Sequence, residues 1–556
     1  MQEEELQKGA SVPFTGSGGV ANEFINALLA NERFNELIAK NVGGLAKADT
    51  ISQATNLMWY DLKPIVQMLY PFRELIPRIS RLPRVVADGG NAFHAKRIVA
   101  INPNNTSPGV SEGNRGARIS ITEQEFTLPY RTLGLESSVT FEARLAGRNL
   151  NPENLGISIQ SALRSLMILE EQILINSDAS VPLGTTPTPA LVQGAIAGLT
   201  GTFTGQIWIS CVALTGLGSA GYRPYLSASN TGGVPGQITK INADDSTDTF
   251  GGGSAAPSAF ATITPTGTNV VTATTTLVTG ALAYAWFVGS SNSAASMYLA
   301  GLTPSNQAIF TKVPASTNQP LSNLYVGGVA QDNSTNVLLP DGVLPQIFGA
   351  ISAPSPGQAM ATNSVLPSGI SLSQGGSILY NMASGNTGLT LSGSTINEFD
   401  AVFRAAYDQY KLSFDRILIS AADMLDTFGA MLNQASAANL YRIWFDADES
   451  TGRIIAGRKV TSYMNKFMNN TLDVEVHPAL PPGTILFWSD RSPYELSGVP
   501  NILEAKVRQD YYQIQWPWKS RRYEYGVYVD EAFPMYFTPA FAVITNKNPS
   551  SGTFSF

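Results

Sequence analysis

Histidine, the residue most used as a general base and zinc ligand, occurs only as His94 and His477 in 556 residues, leaving a histidine triad or multi-histidine metal centre almost no raw material. Acid–base work would fall to carboxylates. Glu170 and Glu171 are adjacent, and neighbours on a helix point to different sides, which suits salt bridging better than a shared proton. Gly216-Leu217-Gly218-Ser219-Ala220-Gly221 matches a dinucleotide fingerprint. Tyr222-Arg223-Pro224 stands where the phosphate-binding helix would continue, so the segment reads as a turn. Asp244, Asp245 and Asp248 offer calcium ligands, but no glutamate between Glu171 and Glu398 can close such a site, and a solvated loop is the simpler reading. The chain contains no Walker-type Gly-Lys-Ser/Thr sequence. No metal, cofactor or enzymatic activity is expected.

A second kind of chemistry is recognition. Arg73, Arg78, Arg81 and Arg84 form the densest basic stretch, interleaved with Pro77, Ile79, Leu82 and Pro83. That pattern describes an extended segment whose guanidinium groups pair with carboxylates across a protein contact, with phosphate as the alternative partner. From Arg508 to Glu531, Tyr512, Ile514 and Trp516 alternate with Tyr511, Gln513 and Gln515. Beyond a turn at Pro517, Tyr523, Tyr525, Val527 and Val529 alternate with polar residues and Tyr528. Period-two alternation predicts two strands, with Tyr511 and Tyr528 on a second face held for a neighbour. Aromatic residues here, Trp518 included, suit either stacked bases or a protein interface. A formal net charge of -7 favours the protein interface.

These residues need elements to hold them. The length predicts two to four domains, and helix and strand patterns both occur. Cys211 is the only cysteine, so no intrachain disulfide can form, which fits a reducing cytoplasm. The acidic start Met1-Gln2-Glu3-Glu4-Glu5 does not look like a secretory signal, and no apolar run approaches the ~20 residues that span a bilayer, so neither export nor membrane insertion is expected. Helices are expected from Phe24 to Gly44 and from Met58 to Tyr70, followed by a proline-punctuated arm. Strand runs Ala92–Ile101 and Arg118–Tyr130 flank a loop and predict a two-stranded ribbon without a core of its own. Asn151 offers an N-cap for a helix of about 24 residues, roughly 36 Å long. From Pro187 to Ser316 Gly, Ala, Ser and Thr dominate, and short strands Gln206–Leu214, Asn269–Val278 and Ala283–Val288 predict an inserted β-sandwich. A helix Asn397–Tyr410, a strand Arg416–Ser420 and a helix Ala422–Asn433 predict an α/β unit.

Together these pieces resemble the major capsid proteins of tailed bacteriophages, whose shell fold is of the Hong Kong 97 type. The residues that carry the resemblance are Leu69-Tyr70-Pro71 with Ile76-Pro77-Arg78; Tyr130-Arg131-Thr132-Leu133-Gly134 with Val139-Thr140-Phe141-Glu142-Ala143; Leu169-Glu170-Glu171; and Asp510-Tyr511-Tyr512 through Gly526-Val527-Tyr528. The resemblance implies an α+β fold in six parts. Residues 1–84 would be an N-terminal arm, 85–131 an extended loop over an adjacent subunit, and 132–186 a peripheral domain with a spine helix. Residues 187–316 would be an inserted immunoglobulin-like sandwich, 317–455 an axial domain, and 456–556 the strands returning to both. Arg73, Arg78, Arg81, Arg84, Lys96, Arg115, Arg118, Tyr511, Trp518 and Tyr528 become candidate contacts between subunits, with Lys96 also a candidate for cross-linking.

The function so implied is a shell subunit that assembles with itself, as hexamers and pentamers, into an icosahedral head. Portal and scaffold proteins would be its partners, packaged double-stranded DNA would touch it weakly and without sequence preference, and no membrane would be involved. It would belong to the virion and assemble in the host cytoplasm. Two other readings stand beside it: a secreted adhesin or surface-layer protein, suggested by the Gly/Thr-rich sandwich, and a carboxylate-dependent glycan hydrolase with the sandwich as binding module.

Overall fold

The arginine-rich arm does not run straight. Arg73–Leu75 is a turn of 3-10 helix, and the amides of Arg81 and Leu82 fold back on the Arg78 carbonyl at 2.9 and 2.8 Å before strand β1 (Arg84–Val86) begins. Pro77 and Pro83 exclude a longer helix, so the expected extended path becomes two turns and a short strand. The computed structural model describes residues 72–101, 109–116, 118–147, 154–226, 231–349, 366–383, 388–392, 395–424, 446–448, 453–455, 462–490, 500–549 and 555–556. All belong to one unit, Leu69–Phe556. The helices expected at Phe24–Gly44 and Met58–Tyr70, the cap at Asn151 and residues 425–433 of the helix expected at Ala422–Asn433 lie outside the described residues.

The ribbon forms as its alternation predicts. β2 (Ala92–Ile101) and β3 (Ile121–Pro129) pair antiparallel, from Ala92 opposite Pro129 to Ile101 opposite Ile121. Its root is held by aromatic edges: Phe93, Phe126 and Tyr536 meet with ring centroids 5.8 to 6.2 Å apart. After β4 (Arg131–Thr140) comes the spine, α1 (Asn154–Asn176), whose Leu166, Ile173, Leu174 and Ile175 enter the main core.

The insert is a two-layer sandwich. Its strands are β5 (Ala190–Gly194), β6 (Ile207–Leu214), β7 (Ala261–Ile263), β8 (Val270–Thr274), β9 (Ala283–Gly289), β10 (Met297–Thr303) and β11 (Gln307–Phe310). One sheet runs β7-β6-β9-β10 and the other β11-β8-β5. Ile209, Cys211, Ala213, Trp286 and Val288 from the first face Val271, Ala273, Ala308 and Phe310 from the second. The first sheet is covered on its other face too, by Val234, Leu321 and Leu324 against Val212, Ala285 and Phe287. Coverage on both faces explains why β6 and β9 are apolar without alternation. It also carries the sandwich's packing past Ser316. Gly216–Ala220, expected as a turn, is a one-turn helix α2 capped by the Thr215 hydroxyl, which accepts from the Gly218 amide at 3.2 Å. A side chain at Gly218 would collide with the backbone of Gly253, so these glycines serve close packing.

Aspartates latch the passage between spine and insert. Asp341 accepts the Ala179 amide at 2.8 Å and the Ser180 hydroxyl at 2.9 Å, and Asp332 accepts the Gly184 amide at 2.7 Å. Asp178 accepts the Val181 amide at 2.9 Å, and burial pushes its pKa up to about 7.

The remaining strands build a mixed seven-stranded sheet: β12 (Ile370–Leu372), β13 (Ile378–Asn381), β14 (Arg416–Ile419), β15 (Ser462–Asn465), β16 (Asn470–Val476), β17 (Ile485–Trp488) and, near the end of the chain, β20 (Phe541–Thr545). The order is β12-β13-β20-β17-β14-β16-β15, with β13 parallel to β20 and β14 parallel to β16. Helix α3 (Asn397–Tyr410) lies against it by Phe399, Val402, Phe403, Ala406 and Tyr410, a 3.6-period stripe, and stops at Lys411 in a left-handed conformation, φ 53°. Between β17 and β20, β18 (Ala505–Gln515) and β19 (Arg522–Ala532) complete a separate four-stranded sheet in the order β1-β18-β19-β4, packed on the spine helix. The architecture is α+β.

Candidate functional site

The adjacent glutamates of α1 are both fully buried and diverge, as expected of neighbours on a helix. Glu171 accepts the backbone amides of Arg78 and Ile79 at 3.0 and 2.7 Å, and His477 Nε2 lies 2.7 Å from it. The Ala479 amide donates to His477 Nδ1 at 3.2 Å, so the ring proton sits on Nε2 and is given to Glu171. A carboxylate so placed satisfies three buried donors at once. It fastens the arm to the spine.

Glu170 faces the other way, into a cluster drawn from four elements. Arg84 of β1 reaches Glu170 at 2.7 Å, Asp510 of β18 at 2.9 Å and Glu531 of β19 at 3.3 Å, and its guanidinium lies 4.5 Å from the centre of the Tyr511 ring. The Tyr511 hydroxyl donates to Glu170. Burial, then the Glu170 charge, holds the Tyr511 and Glu531 protons well above their ordinary pKa values. Burial alone would lower the Arg84 pKa, but Glu170, Tyr511 and Glu531 outweigh it and raise it. Burial and the Glu170 charge thus bias the Glu531 carboxyl toward its protonated form.

Arg78 anchors a third point. It is buried, pairs with Glu475 at 2.8 Å and lies 5.2 Å from the centre of the Trp488 ring, while Arg416 bridges Glu475 and Asp490 at 2.5 and 2.7 Å. Burial lowers the Arg78 pKa. Arg81, exposed, approaches Glu475 at 3.5 Å.

The carboxylate partners foreseen for the basic arm thus lie in the same chain. Arg78 and Arg84, expected to face a neighbour, are internal anchors. Tyr511 is a correction of the same kind. The register of β18 on β19 sets Tyr512 directly opposite Tyr528, so Tyr512, not Tyr511, shares a face with Tyr528, stacked at 5.8 Å. Tyr511, the next residue along the strand, points to the opposite face and meets Glu170 of the spine. Tyr528 lies over Gly134 and Gly526, where a Cβ would overlap its ring, and donates to Glu136 at 2.6 Å. The remaining candidates, Arg73, Arg81, Lys96, Arg115, Arg118 and Trp518, are exposed, and Trp518 leaves 66% of its surface open while touching Tyr523 edge-on.

Sequence reasoning missed the apolar part of the surface. Ile98 (59% exposed) and Ile121 (53%) stand on the ribbon, with Ile119 (68%) just before β3. Their signal is present in the sequence as isoleucines close to the charged residues Lys96, Arg97, Arg118, Glu123 and Glu125. No group of His, Cys, Asp and Glu suited to a metal occurs among the described residues, and no described helix is long and apolar enough to cross a membrane.

No family model and no curated protein sequence matches the chain. Among solved structures it is similar to the capsid of a native GTA particle, at 9% identity and a TM-score of 0.40 over 89% of this chain and 96% of that one. It is also similar to the capsid of cyanophage A-1(L), at 10% identity and a TM-score of 0.37 over 89% and 98%. A third similar structure is an encapsulin complex from Synechococcus elongatus, at 6% identity and a TM-score of 0.35 over 90% and 96%.

Proposed function

We propose that the chain is a shell subunit with a Hong Kong 97-type fold, the major capsid protein of a tailed bacteriophage, which assembles with itself into an icosahedral head enclosing double-stranded DNA. The observation that carries this reading is the ribbon. It is ten residues long on one strand and nine on the other, and among the described residues its packing is at its root. Beyond the root it holds isoleucines out to solvent. An isolated two-stranded ribbon is marginal in water, and an apolar face on it needs a covering surface. Full burial of Ile98, Ile119 and Ile121 against another copy would contribute on the order of 5 kcal/mol, comparable with a millimolar contact. Several such contacts per subunit, closing on one another, make a stable shell from weak joints.

In this reading the arm, anchored by Glu171 and Arg78, fixes the root of the ribbon. The spine with its four-stranded sheet is the peripheral domain, the seven-stranded sheet with α3 is the axial domain, and the sandwich is an immunoglobulin-like decoration. Copies join as hexamers and pentamers, with portal and scaffold proteins as partners, and Arg73, Arg81, Lys96, Arg115, Arg118 and Trp518 are the exposed contact candidates. The hydrolase reading loses its best acids, since Glu170 and Glu171 are engaged within the fold. Electron microscopy of the purified protein tests the proposal: closed particles of uniform size are expected, and monomers under every assembly condition would overturn it.

A further inference from the structure

The free edge of β11 in the sandwich is filled by residues from far along the chain. Ser555 bridges Ile309 in parallel, the Phe556 amide donates to the Ile309 carbonyl at 2.9 Å, and the Phe556 carbonyl accepts from the Thr311 amide and hydroxyl, each at 2.7 Å. The Phe556 ring is stacked on Phe310, 6.2 Å away, and Phe310 meets Trp286 edge-on at 5.9 Å, so the ring extends the aromatic line of the sandwich core. The ring has a seat made for it. Gly301 sits opposite Trp286, beside the irregularity where β9 and β10 change register, and the three atoms nearest to a Cβ built there all belong to Phe556. Any larger residue at 301 would occupy the space the ring now fills.

We infer that the β11 edge and the Gly301 seat form a peptide-binding site, specific for a short extended segment carrying an aromatic side chain, and that its occupant is this chain's own Ser555–Phe556. Backbone pairing along an open strand edge supplies affinity without sequence preference, and a pocket for one side chain supplies specificity. The edge would otherwise be open to pairing with other chains. Because β20 and the buried Asn546 and Lys547 belong to the main body, while Phe556 belongs to the sandwich, the same stretch of chain fastens the insert at a second place. The Asn306 amide donates to Asn546 at 2.7 Å, so the attachment begins at the body's own edge.

The test titrates a fluorescein-labelled heptapeptide of residues 550–556 against the full chain and against a chain ending at Pro549, reading anisotropy. Saturable binding of one peptide per shortened chain is expected, and none to the full chain, whose site is filled. Phe556→Ala in the peptide, or Gly301→Ala in the shortened chain, should each weaken binding by about tenfold or more. Equal binding of the Phe and Ala peptides, equal binding to the full chain, or no binding to a shortened chain with a normal thermal transition would overturn the inference. Hydrogen exchange on the full chain gives an independent reading. Phe556→Ala should speed exchange of the Thr311 amide by about tenfold or more while β8 amides keep their protection, and an unchanged Thr311 amide would count against the site whether or not the shortened chain folds. A full-length dimer that disappears on Phe556→Ala would put the segment on a second copy and so contradict a seat within one chain.

Discussion

Glu171 ties distant parts of the fold together, because three buried donors from two remote segments converge on it. Glu171→Ala would strand those donors, and a loss of about 3–5 kcal/mol is expected in urea unfolding, while Glu171→Gln should cost less by keeping one acceptor. A loss under 1 kcal/mol for the alanine would mean that the arm is held elsewhere. Tyr528 allows a cleaner measurement. Gly134→Ala should cost about 1–3 kcal/mol in the native chain and little in a Tyr528→Ala background, since the ring is what the new methyl meets. Equal costs in both backgrounds would remove the ring from the explanation. These details show what the sequence holds at this scale. The opposite directions of Glu170 and Glu171 followed from helix geometry alone. That Arg84 would meet Glu170, Asp510 and Glu531 did not follow, because pairings between residues far apart in the chain are fixed by the tertiary fold.

At the scale of elements, periodic patterns were readable and irregularities were not. Helix α3 begins and ends where its stripe and acidic first turn place it, and the ribbon's two strands pair as their alternation implies. The register of the β18–β19 hairpin leaves no mark on composition, so alternation alone does not reveal that Tyr512, and not Tyr511, lies opposite Tyr528. The spine–insert passage gives a pH prediction. Asp178 has a folded pKa of about 7 against an ordinary value of 3.8, so the folded state binds the extra proton between those values. Its contribution is complete below about pH 4 and lost as pH rises to 7, a change of roughly 4 kcal/mol. Burial raises the Asp341 pKa too and acts in the same direction. Asp178→Asn should therefore flatten the fall in stability from pH 4 to 7, measured by urea unfolding at each pH, and an unchanged slope would exclude Asp178 as the source. The ribbon gives a prediction of another kind. Removing its tip, Asn102 to Gly116, should abolish particles while leaving the thermal transition of the subunit nearly in place, because the packing among the described residues is at the root. Normal assembly of that variant would deny the ribbon a contact role.

At the scale of the whole molecule, a body and an inserted sandwich share one chain, and the arm is tied so that the ribbon leaves from a fixed root. Internal anchors account for the most conspicuous arginines, while three of the exposed apolar side chains, Ile98, Ile119 and Ile121, lie on or beside the ribbon. An anchored arm beside an uncovered ribbon suits the self-assembling subunit proposed above. The most direct measurement is a cryo-electron microscopy reconstruction of particles formed by the purified protein. The account predicts a closed shell in which the ribbon of each subunit crosses onto an adjacent copy and covers Ile98, Ile119 and Ile121. A ribbon folded back on its own subunit, or those isoleucines facing solvent in the assembled particle, would contradict it.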